Sequence, residues 1–193
     1  CMNPNGEVVQ ENYNGISTVN GHSYAEKTTN NTNFALLVSE KFTEPFKEPI
    51  QYGQHIARLA NMLAGGILVQ RFGDLLDGRR STPERIKASI IKPTLTCATP
   101  GDLSLVIPYR QMTSIIEMLQ ALDKVCPGTA SRYTLLYGIE VKFYSARVKL
   151  TNNLETEGVK NLFAIGDGAG VTRGLIQASA SGVHAARTIC ERG

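Results

Sequence analysis

The residues best suited to chemistry lie in the stretch 161–189, NLFAIGDGAGVTRGLIQASASGVHAARTI. Leu162 to Ile165 is a short apolar run of the kind that forms a buried parallel strand, and it predicts one here. The run stops at Gly166, Asp167, Gly168, Ala169 and Gly170, where glycines let the backbone turn sharply and leave its N–H groups uncovered. From Leu175 onward the small residues Ala178, Ala180, Gly182, Ala185 and Ala186 alternate with Ile176, Val183 and Ile189, which predicts a helix packed closely on a sheet. Strand, glycine turn and helix N-terminus together suit a phosphate or a polyol. A dinucleotide fingerprint does not fit. G-x-G-x-x-G counted from Gly166 needs glycine at Val171, and counted from Gly168 it needs glycine at Arg173; the second strand and its acid, about 20 residues on, are also missing.

Other reactive side chains form no set. No Ser-His-Asp or Cys-His arrangement can be drawn, so no catalytic residue is assigned. His22 reads as a surface-turn histidine, His55 as solvated on the polar side of a helix, and His184 as structural or exposed. Cys1, Cys97, Cys126 and Cys190 form no CxxC pair and flank no suitably spaced histidine, so no metal site is expected. Cys97 and Cys126 read as small apolar fillers. Arg71, Asp74, Asp77, Arg79 and Arg80 are the densest charge cluster. They read as a solvated loop, with a basic lip that attracts an anionic substrate as the sharper alternative. Arg173 is a cation placed before a helix N-terminus, where the helix field opposes it, so it is a candidate to reach a cofactor phosphate or a substrate carboxylate.

The elements that must position these residues fit a globular chain. The sequence has 193 residues, 42% hydrophobic and 19% charged, and a net charge of +3, which is too apolar for disorder and too weakly basic to imply nucleic acid. No apolar run approaches the ~18 residues of a membrane span. Cysteine use and the absence of a signal-peptide pattern fit a reduced, cytoplasmic protein. The first residue is Cys1, which fits a piece of a longer protein.

Along the chain, Asn3-Pro4 and Asn5-Gly6 are turn signals, and short strands are expected near Val8-Val9 and over 16–20. Residues 26–33 read as a polar loop and 34–42 as a mostly buried strand. Apolar residues at 52, 56, 59, 60 and 63 predict a helix stopping at Gly65-Gly66. Ile67 to Val69 reads as a strand, and Ser81 to Glu84 as a helix start with Pro83 in the first turn. Positions 112, 115, 116, 119, 122 and 125 predict a helix ended by Cys126, Pro127 and Gly128. Strands are expected over 135–143 and 146–150.

Leu162 to Asp167 followed by a Gly/Ala-rich helix resembles the C-terminal flavin motif of two-dinucleotide-binding-domain flavoproteins. In that family a strand ends in Gly-Asp and the next helix points its N-terminus at the pyrimidine side of the isoalloxazine. The resemblance implies cofactor contacts from Gly166, Asp167, Gly168, Gly174, Leu175, Ile176 and Gln177. Asp167 would accept a hydrogen bond from the ribitol, and the amides of Leu175, Ile176 and Gln177 would sit by the flavin O2. A helix N-terminus there would stabilise negative charge on the N1–C2=O edge by roughly 0.3–1 kcal/mol.

The opening of the chain resembles a group of FAD-dependent dehydrogenases in Cys1-Met2, Pro4, Gly6, Val8-Val9, Val19-Asn20-Gly21, Ser23-Tyr24 and the segment 31–38. Asn3 stands where many relatives carry Cys, and the same segment would bring Cys1 or His22 toward a flavin. The fold class expected is α/β: a partial FAD/NAD(P)-binding Rossmann-like domain in 1–43 and 136–193, interrupted by an α+β insert or cap in 44–135. The function implied is that of a piece of an FAD-dependent oxidoreductase, dehydrogenase-like, passing hydride through flavin to or from a small-molecule substrate. The partner implied is the missing N-terminal half of the same protein. Alternatives are a non-catalytic binding or assembly module of flavoprotein fold and a flavin-dependent tRNA-modifying enzyme.

Overall fold

The computed structural model describes residues 2–26, 28–40, 42–141 and 147–192. The chain forms two compact units, 1–141 and 142–193. The architecture is mixed α/β with small sheets.

In the first unit, β1 (Met2–Asn3) pairs antiparallel with β4 (Asn33–Phe34), and β2 (Glu7–Tyr13) pairs antiparallel with β3 (Ile16–His22) in one continuous register. The β2–β3 hairpin turns at Asn14-Gly15, both at positive φ (52° and 81°). Asn-Gly tolerates that geometry, and it matches the twist of the flanking strands. The strand expected near Val8-Val9 is therefore longer than its apolar pair, and His22 closes β3 opposite Glu7 instead of lying in a turn between strands.

The helix α1 (Pro49–Ala64) starts with proline in its first turn and ends at Gly65 in the left-handed conformation, whose N–H donates to Asn61 O at 2.7 Å. The side chain of Asn61 leaves the helix to hold the hairpin. Its Oδ1 accepts from Ser17 N at 2.8 Å and its Nδ2 donates to Ser17 O at 2.8 Å. Two positions on, Val19 N donates to Ile139 O at 3.0 Å. Next come β5 (Leu68–Arg71), α2 (Phe72–Leu76), α3 (Pro83–Lys87), β6 (Thr99–Pro100), a 3₁₀ turn over 103–105, α4 (Tyr109–Asp123) and β7 (Leu135–Gly138). Strand β5 lies central, parallel to β6 and antiparallel to β7. Thr82 caps α3 by accepting from Arg85 N, with Pro83 next.

The core forms where the apolar stripes of α1 and α4 meet β5 and its flanks: Ala60, Leu68, Phe72, Leu75, Leu103, Val106, Met112, Leu119 and Ile139. Phe34 and Leu36 pack against this cluster. The strand expected over 34–42 is shorter than that, because among its described residues only Phe34 has a ladder partner, Met2. Of the strand expected over 135–143, residues 135–138 form β7, and 142–143 lie outside the described residues.

In the second unit a 3₁₀ turn at Asp167–Ala169 leads to α5 (Leu175–Cys190), whose inward face is Ser181, Ala185 and Thr188. No strand forms over 162–165. Its ladder contact is one bridge, Phe163 with Glu155, and Leu162 and Ile165 are exposed. A parallel strand is stable only when flanking strands take up its backbone groups, and none does so among the described residues of this unit. The segment 147–150 likewise shows only an isolated bridge, Leu150 with Thr156, and residue 146 is not described.

Candidate functional site

In the second unit the glycine turn bends as its composition requires. Gly166 (φ 72°) and Gly170 (φ 69°) both adopt backbone that side chains resist, and around Gly168 there is open space. Gly166 N donates to Ser181 Oγ at 3.0 Å, and Ser181 Oγ donates to Ala178 O at 2.7 Å. A buried hydroxyl on the helix thus ties the turn to α5. Asp167 is exposed, and its Oδ1 accepts a hydrogen bond from the Thr172 hydroxyl.

Gly174 precedes α5 in extended conformation and, lacking a side chain, gives no capping hydrogen bond. Ala178 N is the first to close a helical bond, to Gly174 O, so no side-chain cap at Gly174 covers the amides of Leu175, Ile176 and Gln177. The Gln177 side chain folds back so that its Oε1 accepts from Arg173 N at 3.4 Å. The Leu175 and Ile176 side chains are 89% and 86% exposed. All seven residues expected to hold a cofactor therefore lie in one turn and the helix start that follows it. Thr172 and Ser181, which orient the turn, were not anticipated; hydroxyls flanking a glycine turn were the available signal.

That donor set fits the ribitol–pyrimidine end of a flavin: one exposed carboxylate for hydroxyls, then a helix start with no side-chain cap for a carbonyl edge. It does not fit the pyrophosphate, which needs the closer glycine spacing absent here.

The first unit carries a second polar centre, where the solvated loop expected at 71–80 is overturned. Asp74 is 1% exposed, on α2. Its Oδ1 accepts from Arg79 Nε at 3.0 Å and its Oδ2 from the Ser81 hydroxyl at 2.8 Å. Arg85 and Arg71 approach it at 3.9 and 4.0 Å. Asp77 pairs with Arg79 and with Arg132. The hydrogen bond from Arg132 holds the Asp77 carboxyl below its ordinary range, with the charges of Arg132, Arg79 and Arg85 adding to it. The buried Gln70 braces the loop, donating to Arg79 O at 2.9 Å and accepting from Leu103 N at 2.8 Å. The loop folds inward because Asp74 stands between the core residues Phe72 and Leu75 on a helix start and must go in with them. A buried carboxylate requires such partners.

Tyr137 lies on β7. Burial pushes its hydroxyl up to about 12, opposed by a hydrogen bond with the Thr94 backbone.

The remaining candidates are scattered. His22 is exposed and rests on the Tyr24 ring at 4.5 Å between centroids. His55 is exposed, and His184 Nε2 lies 3.1 Å from Asn152 O. Arg173 is exposed. Cys97 and Cys126 are exposed instead of filling apolar space, since both sit in irregular chain beyond the core elements. Cys1 lies outside the described residues. Among the described residues no cluster of His, Cys, Asp and Glu could hold a metal ion, and no helix is long and apolar enough to cross a membrane.

Comparison with known proteins agrees with a flavoprotein association. An uncharacterized protein of Clostridium beijerinckii is 32% identical over 204 residues, covering 100% of this chain and 37% of the relative. The chain thus spans little more than a third of the length of the relative it matches. Residues 1–143 match a family described as FAD-dependent protein, C-terminal domain-like. The chain belongs to this FAD-dependent protein C-terminal domain-like family.

Proposed function

We propose that this chain is the C-terminal part of an FAD-dependent oxidoreductase in which the turn at 166–170 and the start of α5 hold the flavin by its ribitol and pyrimidine. The observation carrying this reading is the start of α5, which has no side-chain cap and lies directly behind an exposed carboxylate on a glycine turn. It lies outside the residues that match the family, so it is independent support.

Asp167 accepts from a ribitol hydroxyl, with Thr172 fixing the carboxylate's orientation. The N–H groups of Leu175, Ile176 and Gln177 donate to the carbonyl edge, where the positive end of the helix field opposes protonation and favours negative charge. The exposed Leu175 and Ile176 side chains cover an aromatic face and exclude water from it. FAD, when bound, supplies hydride transfer to or from a small-molecule substrate, and the chain's role is to bind, orient and polarise.

The phosphate-binding half comes from a further portion of a longer polypeptide, as the greater length of the Clostridium beijerinckii relative suggests. In that setting residues 162–165 gain flanking strands and complete a Rossmann-like sheet.

The test is the visible absorbance of the full-length protein, purified without added cofactor, beside its Asp167→Ala variant. Flavin bands near about 370 and 450 nm in the parent, weakened in the variant at unchanged fold, support the reading. A colourless parent that takes up no added FAD refutes it.

A further inference from the structure

We infer that Arg71 is the anchor of an oxyanion-binding site in the first unit, taking a carboxylate or phosphate group of a small molecule. The site stands on observations separate from the flavin reading.

The network around Asp74 and Asp77 holds four guanidinium groups, Arg71, Arg79, Arg85 and Arg132, against two carboxylates. The imbalance is not shared evenly. Arg79 hydrogen-bonds Asp74 and pairs with Asp77, Arg132 hydrogen-bonds Asp77, and Arg85 donates to Arg80 O at 3.0 Å. Asp74 spends its oxygens on Arg79 Nε and the Ser81 hydroxyl. That leaves Arg71 with only a long 4.0 Å approach to Asp74. Its Nε is buried and has no acceptor, although the side chain is only 17% exposed.

A guanidinium carries five donors in a rigid fork. Burying a charged donor without an acceptor is costly. Arg71 is nevertheless held in place from two sides. Its backbone N–H donates to Ser81 Oγ at 2.9 Å, and its guanidinium lies over the Tyr133 ring at 5.2 Å. A positioned, stacked and under-coordinated arginine at a spot with net positive charge is the chemistry that recognises a planar or tetrahedral oxyanion.

The test is isothermal titration calorimetry of this chain with inorganic phosphate and, separately, with malonate, at low ionic strength. Far-UV circular dichroism verifies the fold of each variant. Binding of one of the two, weakened on the order of tenfold or more in Arg71→Gln and unchanged in Arg80→Gln, is the expected result. The better probe then tells phosphate from carboxylate. Arg80 is the control because it is exposed and outside the ion-pair network. Arg71→Lys keeps the charge but loses the fork, and is expected to bind several-fold more weakly than the parent. It carries the test if Arg71→Gln fails to fold. No binding of either probe, equal affinity in the parent and the Arg71 variants, or an equal loss in Arg80→Gln overturns the site.

Discussion

Replacing Asp74 with Asn tests whether the charge cluster is a buried network. Asparagine keeps the volume and an oxygen that can accept from Ser81. It also turns an N–H₂ group toward guanidinium donors already waiting at 3.0 to 4.0 Å. Breaking a buried ion pair by removing one partner costs about 3–5 kcal/mol. Arg79 and Arg85 are partly exposed and can turn to water, whereas Arg71 and Ser81 cannot. The lower end, about 3 kcal/mol, is therefore expected. With a urea slope of about 2 kcal/mol/M, the midpoint should fall by about 1.5 M. Tyrosine fluorescence is a suitable probe. The chain has no Trp and seven Tyr, six of them at positions 13–137 of the first unit. A surface loop would lose no more than about 0.5 kcal/mol. A midpoint shift below about 0.25 M would refute the buried network.

Two further outcomes follow from single residues. Tyrosine absorbance during alkaline titration should show one late phase near pH 12, absent in Tyr137→Phe. Because the folded value is raised above the ordinary 10.0, Tyr137 contributes stability fully present below pH 10 and lost as pH rises from there through 12. Gly65→Ala should cost about 1 kcal/mol in thermal or urea unfolding. The space around Gly65 is open, so the cost is that of the left-handed conformation alone; a neutral result would mean the helix ends elsewhere.

Helices α1 and α4 were legible because their signals are local. The apolar spacing, the proline start of α1 and the Gly65 stop lie within each segment. Helix α5 was legible too, and with it the grouping of Gly166 to Gln177. The β2–β3 hairpin carries its own local sign in Asn14-Gly15, the pair that turns it. What stayed hidden depends on distant partners. Residues 162–165 have a strand's composition, but a strand exists only beside another. Asp74 looks like any loop acid until Phe72 and Leu75 draw it into the core and Arg79 and Ser81 fold back over it. Cys97 and Cys126 have a core residue's chemistry but stand in chain that the helices leave outside.

The amide of Asn61 has a consequence for aggregation. By accepting from and donating to Ser17 it imitates a neighbouring strand, and Ile139 meets Val19 two residues further along. Unpaired strand edges are where chains recruit one another into intermolecular sheets. Here a helix side chain closes that edge in the native state. The protection at Ser17 is lost whenever α1 undocks, so hydrogen exchange at the Ser17 amide should measure how often the protein exposes a surface on which a second molecule could template.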